Sequence, residues 1–162
     1  MSAEGGTEAE GVKKAAGEYN AVVDAAELIS VRLIRSDFTA DADAYMHDKS
    51  GWKRGYGCEA QGVFLNQKLS RLSGSVVAEV ICRSGGKRVL VVKCRYLLDY
   101  AITGDPSEEA AKAFFGRVGR FAAYPYFRSH FAELTSQAGL LLGPLPVLKD
   151  SAVPMPRSKD HA

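Results

Sequence analysis

The chain has 162 residues and a mass of 17.5 kDa, which fits one folded domain with short appendages. Hydrophobic residues make up 46% of the sequence and charged residues 25%, which excludes a collagen-like chain and a wholly disordered one. The net charge of +2 is too small to predict nucleic-acid binding by itself.

Residues 1–11 are rich in Gly, Glu and Ala, and we predict that they are disordered. An amphipathic helix is predicted over residues 12–27, because apolar residues recur there at steps of three and four. The predicted stripe consists of Val12, Ala16, Tyr19, Val23 and Ala26. We expect it to pack on its own domain or on a twin subunit, and a helix free to bind another partner is the alternative.

A strand is predicted from Leu28, where aliphatic and β-branched residues replace the helical pattern. Residues 40–57 form a long connection that contains the single tryptophan, Trp52. A connection of this length inside a compact domain is often functional. Two further strands are predicted at residues 58–70 and 73–83.

The clearest local element is a β-hairpin whose turn contains Gly85 and Gly86. Directly opposed residues of an antiparallel pair point to the same face, so the loop length decides which residues lie together. A three-residue loop gives a nearly continuous apolar face, and we therefore predict that loop. The predicted face joins Val76, Ala78, Val80 and Cys82 with Arg88, Leu90, Val92, Cys94, Tyr96 and Leu98. The opposite, solvent-facing side carries Glu79, Arg83, Lys87, Lys93 and Arg95.

A long helix is predicted to begin with Asp105 as its N-cap and Pro106 in the first turn. Pro125 removes one intrahelical donor, so we expect a kink or a short break there. Gly139 is predicted to end the helix at the C′ position. An extended Leu- and Pro-rich segment follows, and residues 151–162 are predicted to be a flexible tail.

The predicted order of elements gives an α+β fold, in which four antiparallel strands pack on a long broken helix and an extra N-terminal helix. The apolar stripe of the long helix is wide, which indicates a helix covered on both sides in an oligomer. The predicted oligomer interface consists of Phe114, Phe121, Tyr124, Phe127 and Phe131.

No group of residues predicts catalysis, so we expect neither an enzyme nor a cofactor. The histidines, His47, His130 and His161, are far apart in sequence and form no metal-binding spacing. Three cysteines without a C-x-x-C spacing predict reduced thiols, with an oxidised pair as the alternative. We expect a cytoplasmic protein, since no segment has the length of a membrane span and the acidic N-terminus lacks the apolar core of a secretion signal.

Two functional hypotheses remain, and each rests on a surface. Apolar residues gather in the connection around Trp52 and in the segment after Gly139, and a contiguous apolar patch marks an interaction site. Packing of the leucines after Gly139 on their own sheet is the alternative. The second hypothesis is a nucleic-acid-binding module with stacking aromatics. Its basic residues would be Lys53, Arg54, Lys93 and Arg95.

The long helix carries the run Ala123-Tyr-Pro-Tyr-Phe-Arg128, which is followed by Leu134-Thr-Ser-Gln-Ala-Gly139 and a Leu/Pro-rich stretch. This aromatic–Pro–Tyr triplet in a long helix after a four-strand meander resembles the SecB protein-export chaperones. The tryptophan between the first two strands is similar too. The resemblance covers residues 28–150, which we assign to one SecB-like domain.

The resemblance implies an ATP-independent holdase that forms tetramers and binds unfolded polypeptides in apolar grooves. The matching client-binding positions are Tyr45, Trp52, Val63, Leu65, Leu140, Leu142, Leu145 and Val147. Apolar burial suffices for such binding, so no catalytic residue is implied.

Two departures leave the partner open. The second helix of the family has no counterpart after Asp150, and the N-terminal helix would take its place or stabilise the oligomer. Family members dock on the export ATPase SecA through acidic residues of the outer sheet. Asp37 and Asp41 stand at matching points here, whereas Lys93 reverses an expected acid. SecB-like chaperones also protect antitoxins of toxin–antitoxin pairs, so export service and antitoxin protection are both open.

Overall fold

The computed structural model describes residues 5–46 and 48–149 and shows an α+β architecture. Its helices are α1 (Gly5–Ala25), α2 (Asp43–Met46), α3 (Glu108–Phe114) and α4 (Arg120–Gln137). Its strands are β1 (Ala26–Ala40), β2 (Lys53–Asn66), β3 (Arg71–Ser84) and β4 (Lys87–Ile102). The predicted order of one helix, four strands and a long helical region is confirmed.

The four strands form one antiparallel sheet in the order β1-β4-β3-β2, so β1 and β2 are its edges. Buried and half-exposed residues alternate along β3 from Leu72 to Val80, as expected of a strand with one face against the core. We call the face that packs on α4 the inner face and the opposite one the outer face.

The hairpin face is predicted correctly except for Arg88, which is exposed opposite Arg83, and the predicted loop length is wrong. Val80 lies opposite Val92 and Cys82 opposite Leu90, as the apolar pattern requires. The turn itself has two residues, Gly85 and Gly86, both at positive φ. The extra residue is Val89, because the register shifts between Cys82 and the next pair. A β-bulge next to the turn therefore places the same strand residues opposite one another as the longer loop that we predicted.

The observed strand boundaries differ most from the predicted ones in the long connection before β2. β2 begins at Lys53, so residues 53–57 belong to the sheet rather than to the loop. The remaining connection contains α2 and a 3-10 turn at Lys49–Gly51, whose N-cap is Asp48. β1 begins at Ala26, two residues before the predicted start.

The N-terminal helix is longer than predicted, and of its predicted stripe Tyr19 and Ala26 pack against the core. It begins at Gly5, so the prediction of disorder is wrong for residues 5–11, where Glu8 and Glu10 favour a helix start. Val22 is buried, whereas Val12 and Val23 of the predicted stripe are exposed. The reason is that α1 packs on α3 through its C-terminal end, while residues 10–18 are exposed.

The helical region begins two residues after the predicted N-cap. Ser107 is the N-cap of α3, and its Oγ accepts a hydrogen bond from the Ala110 N–H at 3.2 Å. Asp105 instead accepts a hydrogen bond from Gln67 Nε2 at 2.8 Å, which takes its carboxylate away from the helix end.

The long helix is broken, but not at Pro125. Helix α4 is continuous through Pro125, and a π-helical segment at Phe115–Gly119 separates it from α3. Phe114 and Phe115 are both buried and both meet Tyr100 edge-on. A regular α-helix turns consecutive residues 100° apart, whereas the wider turn brings two neighbouring rings to one side.

Candidate functional site

The sheet side of α4 is closed by the subunit itself. Phe127 and Phe131 are 0% and 1% exposed, and they belong to the same core cluster as the inner face of the sheet. Phe114 and Tyr124 are buried as well, so these four residues are wrong as oligomer contacts. Of the five predicted interface residues, Phe121 is the exposed one.

The reason for the wide apolar stripe is a second cover supplied by the same chain, the return segment, which we define as residues 140–149. The Leu140 N–H donates to the Thr135 carbonyl at 2.8 Å and the Gly139 N–H donates to the Ser136 carbonyl at 3.0 Å. With Gly139 at φ +70°, this is a Schellman motif, and Gly139 is confirmed at C′. The motif turns the chain so that the return segment runs back along α4.

Side chains of the sheet and of α4 hold the return segment by its carbonyls. Arg54 donates from Nη1 to the Gly143 oxygen at 2.8 Å and from Nη2 to the Pro144 oxygen at 3.4 Å. Tyr124 donates from its hydroxyl to the Pro146 oxygen at 2.7 Å. Burial raises the pKa of Tyr124 to about 12, so this hydroxyl keeps its proton at neutral pH.

The side chains of the return segment divide between the core and the surface. Leu140, Leu145 and Leu148 are buried, so the prediction that Leu140 and Leu145 contact a client is wrong for this conformation. Leu142 is half-buried, and Val147 is exposed. Packing of these leucines on their own sheet, the alternative in the sequence analysis, thus holds for the buried three.

An apolar groove remains between α4 and the return segment, and we call it the helix groove. It has a volume of about 380 Å³. The helix contributes Tyr124, Pro125, Arg128, Ser129 and Ala132, and the return segment contributes Pro144 and Val147. Val147 is the one predicted client-binding residue in this lining. Positions on the helix recur at steps of three and four, and the small side chains of Ser129 and Ala132 among them could have marked the groove in the sequence.

The other predicted client-binding residues lie around the start and the end of β2. Trp52 is half-buried against the core, and its Nε1 is buried without a hydrogen-bond partner among the described residues. Tyr45 is exposed, and Val63 and Leu65 are half-buried. The structure places Tyr45 and Trp52 before the start of β2 and Val63 and Leu65 near its end, and none of the four lines the helix groove. Two further exposed apolar residues near the end of β2, Phe64 and Leu69, were not predicted from the sequence.

The cysteines and His130, whose side chains could carry chemistry, are buried or hydrogen-bonded within the fold. All three cysteines are free and buried, and burial raises the pKa of Cys58 to about 12. His130 is in hydrogen-bond contact with Ser36 on β1 through Nε2 at 3.0 Å. Within residues 5–46 and 48–149 no group of His, Cys, Asp and Glu could hold a metal ion. His47 and His161 lie outside the described residues.

The basic residues of the nucleic-acid hypothesis form no single surface, because Lys93 and Arg95 lie on the outer face whereas Arg54 reaches the return segment. Arg54 is engaged by the carbonyls of the return segment. Lys93 pairs with Glu79 at 3.3 Å on the outer face. The acidic residues predicted to meet an export ATPase are paired as well, since Asp37 lies 2.7 Å from Arg35 Nε and Asp41 lies 2.9 Å from Lys87 Nζ.

Comparison with known proteins identifies the fold. No family model and no curated protein matches the sequence. The chain is similar to the Mycobacterium tuberculosis Rv1957 SecB-like chaperone in complex with a ChAD peptide from the Rv1956 HigA1 antitoxin, with a TM-score of 0.65 and 22% identity. The match covers 86% of this chain and 99% of the other. The SecB-like fold expected from the sequence is therefore confirmed.

A second solved structure, a protein of unknown function from Streptococcus agalactiae, matches with a TM-score of 0.34 and 8% identity over 76% of this chain and 96% of that chain. Among the helices of the described part, none is long and apolar enough to span a membrane.

Proposed function

We propose that this protein is a SecB-like, ATP-independent chaperone that holds non-native polypeptide on exposed apolar surface. The observation that carries the proposal is the helix groove, an open apolar channel beside the aromatic–Pro–Tyr triplet of a SecB-like fold. The antitoxin peptide bound by the similar Mycobacterium chaperone supports a polypeptide as the ligand class.

The proposed mechanism is burial of apolar side chains without chemistry. An extended client places apolar residues against the rings and methyl groups of Tyr124, Pro125 and Val147, where each Å² removed from water contributes about 25 cal/mol. Trp52 and Tyr45 form the second contact area. Affinity then follows how much apolar surface the client exposes, so folded proteins are released.

We propose an antitoxin segment or a similar unfolded tail as one client and pre-export polypeptides as the other. The pairing of Asp37 with Arg35 and of Asp41 with Lys87 weakens the case for docking on the ATPase SecA, because such a contact would have to compete with these ion pairs. Antitoxin protection is therefore the better supported role. We place the protein in the cytoplasm, where both clients are made.

We propose that the protein works as a homo-oligomer, with a tetramer as the expected state. Exposed Phe121 and Tyr126 on α4 are available for contacts between subunits. The edge strand β1 also carries exposed Ile29 and Ile34, each at a register shift.

The proposal is tested by ATP-free suppression of the aggregation of reduced, denatured lysozyme. The single tryptophan, Trp52, serves as an internal reporter, because its emission shifts when a client covers it. We expect suppression at stoichiometric chaperone and a saturable change in Trp52 emission with the ChAD peptide. Aggregation at the rate of the client alone, together with unchanged emission, would contradict the proposal.

A further inference from the structure

Two neighbouring rows of the outer sheet face carry charge in different ways. In the first row Asp37, Lys93 and Glu79 lie opposite one another on β1, β4 and β3, so acid, base and acid alternate. In the second row Arg35 lies directly opposite Arg95. Lys93 pairs with Glu79 within the first row, and Asp37 of that row pairs with Arg35 of the second. Arg95 therefore lies beside another arginine without an ion pair of its own among the described residues.

The two arginines repel each other in the free protein. Like charges directly opposite each other destabilise a sheet. Arg35 turns its Nε to Asp37 at 2.7 Å, which leaves its other guanidinium nitrogens available. The side chain of Arg95 is exposed and forms no hydrogen bond or ion pair with a described residue. An anion placed between the two guanidinium groups would remove the repulsion.

The shape of the surface at this point fits a small anionic group. A depression with a volume of about 190 Å³ is lined by both arginines, with Val77 beside Arg95 on β3. Guanidinium groups bind carboxylates through paired hydrogen bonds in a fixed plane. Val77 offers an apolar contact for the residue next to such a carboxylate.

We propose that the arginine pair, Arg35 and Arg95, is a docking site for an acidic peptide segment of a partner protein. A glutamate or aspartate carboxylate lies between the two guanidinium groups, and an adjacent apolar residue rests on Val77. Peptide is favoured over nucleic acid because Asp37 also lines the depression and repels a continuous line of phosphates, whereas a peptide can place a single carboxylate at the arginines. The site lies on the face opposite the helix groove, so peptide binding there can be tested independently of client binding.

The test uses the full chain and a short fluorescent peptide in which glutamates alternate with serine and one leucine. The control ligand has glutamine in place of each glutamate. We expect the glutamate peptide to bind, to weaken with added salt, and to lose about tenfold in affinity in Arg95→Gln and in Arg35→Gln. The matched control variant is Arg71→Gln, an exposed arginine at the far end of β3, which should change affinity less than about twofold.

Stability separates a docking role from a structural one. Because the pair repels in the free protein, Arg95→Gln should leave the melting temperature unchanged or raise it. A lower melting temperature in both Arg35→Gln and Arg95→Gln would show that the pair stabilises the sheet and would overturn the proposal. Equal binding of the two peptides, an equal loss in Arg71→Gln, or tighter Arg95-dependent binding of a single-stranded oligonucleotide would overturn it as well.

Discussion

The two sides of α4 differ in how completely the chain covers them. Toward the sheet, Phe127 and Phe131 are sealed in the core of the subunit. On the other side, Pro125 and Ala132 line the helix groove, which the described chain leaves open. One helix thus serves stability on one side and, as we propose, client binding on the other, and apolar periodicity alone does not separate the two.

The largest expected difference between the sides is in stability. Phe127→Ala should lower the free energy of unfolding by about 3–5 kcal/mol, because it leaves a cavity in a closed core. Ser129→Ala, at an exposed position in the helix groove, should cost less than about 1 kcal/mol. Chemical denaturation of both variants measures the difference, and similar losses would show that the two sides are not distinct.

A second substitution examines how tightly the sealed side is packed. A methyl group added at Gly74 would lie 2.6 Å from Cζ of Phe115, so Gly74→Ala should destabilise the protein by about 1–3 kcal/mol. The matched control is Gly116→Ala, where an added methyl group meets nothing within 4 Å. Thermal unfolding distinguishes them, and an unperturbed Gly74→Ala would mean that the ring of Phe115 yields easily.

A third substitution addresses the turn that builds the open side. Gly139 is left-handed at φ +70°, so Gly139→Ala should cost about 1–2 kcal/mol and loosen the return segment. Gly143→Ala, at a position with open space and no left-handed backbone, is the control. Hydrogen exchange of residues 140–149 should become faster in Gly139→Ala only. Equal exchange in both variants would show that the turn at Gly139 does not hold the return segment in place.

The smallest of these stability effects is expected at the hydrogen bond that holds the groove wall. Tyr124→Phe should cost about 1 kcal/mol at neutral pH, since it leaves the Pro146 carbonyl without this donor. The pKa of Tyr124 is raised in the fold to about 12. Its contribution to the free energy of unfolding is therefore fully present below the unfolded pKa of about 10 and is lost as pH rises toward 12.

The unfolding free energy of the wild type should therefore fall more steeply than that of Tyr124→Phe above pH about 10. Burial also raises the pKa values of Tyr96 and Tyr100, but both residues are present in both proteins and their effect cancels in the difference. Parallel curves would remove Tyr124 as the group that titrates.

Local signals in the sequence predicted local structure well. The paired glycines at 85 and 86 and the C′ glycine at 139 depend on backbone conformations that few other residues adopt, and they are confirmed. The apolar alternation fixed which face of the hairpin is inside, because any other register would bury charge. The aromatic–Pro–Tyr triplet led to the correct fold.

The sequence predicted less well which partner covers each apolar residue. Phe127 and Leu145 follow patterns that suit a subunit interface and a client site equally well, and the structure places both in the core. A two-residue turn with a bulge at Val89 puts the same residues on one face as a longer loop does, so the apolar pattern could not distinguish the two. Pro125 suggested a break, but the helix absorbs it and the irregular turn lies where Phe115 packs on Gly74.

The central claim, that the helix groove binds non-native polypeptide, is tested most directly with two valines of equal exposure. Val147 in the groove is 66% exposed and Val12 on α1 is 68% exposed. Titration of labelled, reduced and denatured lysozyme should show a loss of affinity of about fivefold in Val147→Ser and almost none in Val12→Ser. Equal affinities of both variants and the wild type would contradict the account.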